Sequence, residues 1–132
     1  MTNLTSITGT CSVNKTKFAV TISSYTTIKY GSNTESAMAS YVQTTGPLSV
    51  CLAADAFQSY RSGILATWSG RINHCVQAVG VSNNGTTAGN YWKFRNQWGA
   101  SWGEKGFIRL KYGVNLCRLT NDPTYVVPRL LP

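Results

Sequence analysis

Four short apolar runs constrain this chain most: Leu48 to Ala53, Cys75 to Val81, Tyr91 to Arg95 and Phe107 to Tyr112. Each is too short for a helix that buries a face, and the last three are rich in the β-branched and aromatic residues that suit strands. Turn chemistry separates them. Asn83-Asn84-Gly85 ends the second run, and Gln97-Trp-Gly-Ala-Ser-Trp-Gly103 is too rich in glycine to be a strand interior. Tyr125 to Val127 adds a final edge strand. Upstream, within Lys17 to Lys29, Phe18, Val20 and Ile22 alternate with small or polar residues, which predicts a half-buried strand. One helix is expected. Ser32 followed by Glu35 fits a capping box, Ala37, Met38, Tyr41 and Val42 give an apolar face, and Gly46-Pro47 stops it. Asp55 to Tyr60 reads as a single helical turn. The sum is an α+β fold over residues 1–132, a single domain of mostly antiparallel β-sheet or barrel with one or two short helices.

The 132 residues suffice for a core, and 42% are hydrophobic against 12% charged, which favours a globular chain. Ser, Thr, Asn and Gly fill the surface role, as in many secreted proteins. No apolar run reaches the ~20 residues that span a membrane. The sequons Asn3-Leu-Thr5, Asn14-Lys-Thr16 and Asn84-Gly-Thr86 point to an exported protein, secreted or held in a lysosome or vacuole. The formal net charge of +8 reflects a shortage of acids, since Glu35, Asp55, Glu104 and Asp122 are the only four. Lys and Arg are scattered singly, which argues against a nucleic-acid face.

Cys11, Cys51, Cys75 and Cys117 lack the close spacing of a zinc site, and the chain has one histidine, so neither a metal nor another cofactor is expected. Their wide spacing suits disulfides or buried thiols.

That histidine, His74, stands where the loop from Trp68 to Asn73 meets an apolar strand. Imidazole is the natural general base near neutral pH and the natural counter-ion of a thiolate. Asn96 ends the next strand. On neighbouring antiparallel strands the two side chains can meet, and a carboxamide oxygen then fixes the imidazole tautomer.

The string Asn73-His-Cys-Val-Gln-Ala-Val-Gly80, followed by Tyr91-Trp-Lys-Phe-Arg-Asn-Gln-Trp-Gly-Ala-Ser-Trp-Gly-Glu-Lys-Gly-Phe-Ile-Arg-Leu110, resembles the papain-like cysteine peptidases. The likeness extends to Gly46-Pro-Leu-Ser-Val50, to Gly113 through Cys117, and to Tyr125-Val126-Val127. It implies the family's C-terminal, β-rich lobe, with residues 1–14 as an approach segment from a helical lobe. By resemblance, His74 is the catalytic base and Asn96 its orienting partner. Trp98 shields their hydrogen bond, and Trp102 is a second aromatic wall. The main specificity pocket would be lined by Leu48 or Cys51, with Ile72, Asn73 and Cys75, over a floor at Asp122 that tolerates basic side chains. Cys51 and Cys75 would be pocket walls or a disulfide, and their apolar strands favour free, buried thiols. Cys11 and Cys117 resemble family cysteines whose partners this chain lacks.

The family's nucleophile motif, of Cys-Gly-Ser-Cys-Trp character, is absent, as is the glutamine of its oxyanion hole. The expected function is cysteine-type peptide-bond hydrolysis in which this chain supplies His74 and Asn96 and another chain or segment supplies the thiol. The isolated chain is expected to be inactive. Its partners are then a peptide or protein substrate, a helical lobe, and, through an uncovered lobe face, a second copy. The alternative is a non-catalytic binding or structural protein built from one lobe.

Overall fold

The computed structural model describes residues 10, 12–84 and 89–131. Residues 1–9 of the approach segment, Cys11, the sequon at Asn3 and Gly85 of the expected turn lie outside the described residues.

The strands are β1 (Val20–Thr27), β2 (Leu48–Leu52), β3 (Ile64–Leu65), β4 (His74–Ser82), β5 (Tyr91–Arg95), β6 (Phe107–Lys111) and β7 (Thr124–Leu130). They form one sheet in the order β1-β7-β2-β4-β5-β6-β3. Every pairing is antiparallel except that of β3 with β6. Helix α1 (Thr34–Thr44) packs on β4, and 3-10 turns occur at Asp55–Ser59 and Leu116–Arg118.

Alternation assigns the faces of the sheet. Leu48, Val50 and Leu52 of β2 point inward, as do Val76 and Ala78 of β4, Trp92 and Phe94 of β5, and Ile108 and Leu110 of β6. Met38 and Ala39 of α1 cover them from one side, and Phe57, Leu116 and Leu119 from the ends. Each large side chain buried this way contributes roughly 1.5–3 kcal/mol. Ser49, Cys75, Gln77, Lys93 and Arg95 point to the other face, which is exposed.

Four expectations are corrected. First, Glu35 closes no capping box: Asn33 is the N-cap and makes no side-chain cap bond. The Glu35 carboxylate instead accepts from Trp92 Nε1 at 2.8 Å, Gly113 N at 2.7 Å and Asn115 N at 2.9 Å. Three donors, one from β5 and two from the turn after β6, outcompete one local amide because a carboxylate can fill several acceptor positions at once. The vacated local role falls to Thr34, whose hydroxyl accepts from Gly31 N.

Second, β1 is not half-buried: Val20 is 50% and Ile22 61% exposed, and nothing described covers either face of the strand. Its support is lateral, through the ladder to β7, which carries a bulge between Ile22 and Ser24. Third, β7 is no edge strand. It lies between β1 and β2, and its ladder with β2 is a single pair, Ser49 opposite Thr124.

Fourth, Cys51 and Cys75 are not free thiols. They face each other across β2 and β4 and form a disulfide with a sequence separation of 24. Closing a loop of that size is worth about 3 kcal/mol in the chain-entropy account. Cys117 is free and buried.

The segment after Asn96 turns by left-handed backbone. Gly103 has φ +54°, and a Cβ there would lie 2.6 Å from the Phe107 carbonyl oxygen. The Glu104 carboxylate within this turn grips Arg109, Nη2 to Oε1 at 2.7 Å and Nε to Oε2 at 2.9 Å, and also accepts from Gly63 N.

Two outcomes test this account. Glu35→Ala strands the buried Trp92 indole N–H and leaves two exposed backbone donors to water, so chemical denaturation should show a loss of about 1–3 kcal/mol, with Glu35→Gln milder. The Arg109 guanidinium lowers the Glu104 carboxyl pKa below its usual 4.5. A lowered folded pKa gives stability that is complete above the ordinary value and is lost as pH falls through the folded one. The acid limb of a melting-temperature profile should therefore flatten in Glu104→Gln.

Candidate active site

His74 opens β4, opposite Leu52 of β2, and its side chain is half-buried. Asn73 fixes that position. Its backbone N–H donates to the Leu52 carbonyl at 3.1 Å, its Oδ1 accepts from Ala54 N at 2.9 Å, and its Nδ2 donates to Asp55 Oδ1 at 2.6 Å. The loop ahead of the histidine is thus pinned to the 3-10 turn. Sequence reasoning missed Asp55 as the partner, because nothing local links two residues so far apart in the chain.

Asn96 follows β5 and is buried, 7% exposed. Its Oδ1 lies 2.9 Å from His74 Nε2 and 2.9 Å from the backbone N of Gln97. The second contact settles the chemistry of the first. An amide N–H needs an acceptor, so the shared atom is the carboxamide oxygen, and His74 Nε2 must carry a proton. In the neutral ring Nδ1 is then the lone-pair nitrogen, the one that accepts a proton. Asn96 Nδ2 is buried without a partner among the described residues, so the amide is held for its oxygen.

Trp98 lies over the imidazole with ring centroids 5.1 Å apart. It remains 41% exposed on its far side. Trp102 stands edge-on beneath Trp98 at 5.3 Å, anchored by Nε1 donating to the Phe57 carbonyl at 2.9 Å and packed against Tyr60. Trp98 therefore touches the histidine, whereas Trp102 braces Trp98.

The expected pocket residues divide. Cys51 and Cys75 share the exposed face and are bonded to each other. Ile72, half-buried, and Asn73 immediately precede His74. Leu48 is wholly buried and points into the core, on the face opposite Cys51, so the structure does not bring it to the others. Asp122 is exposed in the loop before β7, where its backbone carbonyl accepts from the Thr124 hydroxyl.

Beside the His74–Asn96 pair a shallow groove of about 450 Å³ runs along Ser49, Cys75, Gln77, Arg95 and Gln97. It continues past Lys93 and Lys105, and no acidic residue lines either part. No helix among the described residues is long and apolar enough to cross a membrane.

The profile of the papain family cysteine proteases matches residues 3–127. Cysteine proteinase B of Leishmania mexicana is 40% identical over 92 residues, covering 69% of this chain and 20% of that protein. Cysteine proteinase 1 of Dictyostelium discoideum is 35% identical over 123 residues, covering 89% of this chain and 35% of its own length. Among solved structures, the bromelain protease of Ananas comosus in complex with the E64 inhibitor superposes with a TM-score of 0.68 at 35% identity, over 80% of this chain and 50% of that one. The chain thus spans half or less of each of these relatives, and its strands, helix and site loop belong to the papain family of cysteine proteases.

Proposed function

We propose that this chain is the base-bearing lobe of a thiol peptidase acting on polypeptides. The observation that carries the reading is the His74–Asn96–Gln97 network, which leaves His74 Nδ1 as the proton acceptor. In the proposed reaction Nδ1 takes the proton of a cysteine thiol, and the thiolate attacks the peptide carbonyl. The imidazolium returns the proton to the leaving amine, and His74 then deprotonates the water that hydrolyses the thioester. Asn96 holds the ring in one tautomer through both steps, and Trp98 keeps water from that bond.

In this reading the thiol comes from outside the described residues. Cys51 and Cys75 are bonded to each other, and burial pushes the Cys117 thiol up to about 11. None of the described cysteines supplies a thiolate near neutral pH. A helical lobe carrying the nucleophile, docked on the groove face of Gln77, Lys93, Arg95 and Lys105, completes the site. The uniform positive charge of that face favours an acidic partner surface. The disulfide and the exposed Asn14 and Asn84 support a secreted or lysosomal-type location.

In the same reading Cys51, Ile72, Asn73 and Cys75 wall the specificity pocket, and Asp122 admits basic side chains. The alternative, a non-catalytic one-lobe protein, draws support from the exposed Val20, Ile22, Tyr25, Val126, Val127 and Leu130 along β1 and β7, an apolar ribbon suited to self-association.

The chain alone should not turn over a fluorogenic peptide. Joined to a cysteine-bearing helical lobe it should, and His74→Ala should then cost about 10²–10⁴-fold in kcat/KM, with Asn96→Ala costing less. Activity that survives His74→Ala removes the mechanism. In the same complete enzyme, Asp122→Ala should lower turnover of Arg-bearing relative to Leu-bearing substrates. An unchanged ratio removes Asp122 from the pocket.

A further inference from the structure

Of the described cysteines, Cys75 is exposed and lines the groove beside Asn96, Cys51 is half-buried behind it, and Cys117 is buried. The Cys51–Cys75 bridge joins residues that the β2–β4 ladder already holds opposite each other, from Leu48 against Ala78 to Leu52 against His74. That ladder and the core beneath it are built by groups other than the two sulfurs. The bridge also adjoins His74 directly in sequence, and Arg95 lines the same groove with no acid present. A disulfide buried between distant segments resists exchange. An exposed one, between strands that a hydrogen-bonded ladder also joins, offers a sulfur to an incoming thiolate without unfolding.

We propose that Cys51–Cys75 is a reversible thiol–disulfide site on the face beside His74, opened by dithiol reductants at the Cys75 sulfur. One thiolate of the reductant attacks Cys75 Sγ, and the bond to Cys51 breaks. Cys51 Sγ leaves with the electron pair and takes up a proton. The second thiol of the reductant then displaces Cys75 from the mixed disulfide, and Cys75 is released as a thiolate that protonates. The bridge gains two electrons, and the dithiol is oxidised to its own disulfide. The surroundings thereby decide whether this face carries one fused wall or two separate thiols. Cys75 lines the open groove, so a small disulfide that enters it can re-oxidise or cap the released thiol. The chemistry stands whether or not the face is a peptidase cleft.

The test is native alkylation with iodoacetamide on the full 132-residue chain, read by peptide mass mapping with and without dithiothreitol. Neither Cys51 nor Cys75 should label before reduction. Both should label after it, at least about tenfold faster than Cys117, while circular dichroism stays unchanged. Oxidised glutathione should restore the block. Labelling without reductant, labelling only after denaturant, or loss of structure on reduction would each overturn the proposal. Single variants address which sulfur is attacked. The thiol of Cys75 in Cys51→Ala should react faster than that of Cys51 in Cys75→Ala, and equal or reversed rates remove Cys75 as the attacked atom.

Discussion

Much of this lobe depends on one carboxylate. Glu35 leaves the helix that carries it, takes the indole N–H of Trp92 from the middle of the sheet, and takes two backbone N–H groups from the turn after β6. Trp92 is wholly buried, so its polar atom needs an acceptor. With that acceptor supplied from α1, the helix is positioned over the sheet, and Met38 and Ala39 complete the core. In a chain with four acids, placing one where it satisfies three donors is a considerable commitment. Glu104 makes a comparable one, tying Arg109 and Gly63 to the tight turn after the site loop.

That anchored core sets the site. β4 and β5 are neighbours, so the first residue of one and the residue after the other come within hydrogen-bonding distance. Asn96 spends its oxygen on two donors, His74 and Gln97, and its nitrogen on none. An unpaired buried amide nitrogen has a cost. It is accepted where the return is an imidazole held in one tautomer. Trp98, set on Trp102 and Phe57, keeps a ring over the pair.

The two sides of the sheet differ in chemistry. The inner face is dry and apolar. The outer face is polar and cationic, carries the disulfide, and meets the exposed ribbon of β1 and β7 at the edge of the sheet. The domain corresponds to 50% of the bromelain chain on which it superposes.

The sequence alone determined β2, β4, β5 and β6, the helix, the turn at Asp55 and the adjacency of His74 and Asn96. In these segments apolar periodicity, turn residues and short-range pattern all favour the same local structure. The two residues of β3 it read as loop, and β7 as an edge. It also carried the family likeness, through the string around His74, Asn96 and Trp98. Tertiary structure decided the rest. Glu35 left its local cap for donors some 57 to 80 positions away. Leu48 turned inward while Cys51 turned outward. Asp55 took up Asn73. Cys51 met Cys75 because register placed them opposite. The apolar alternation of β1 suited a buried face that no described residue covers. In each case the deciding partner is distant in sequence, and a local pattern records what a side chain prefers, not what the folded sheet brings to it.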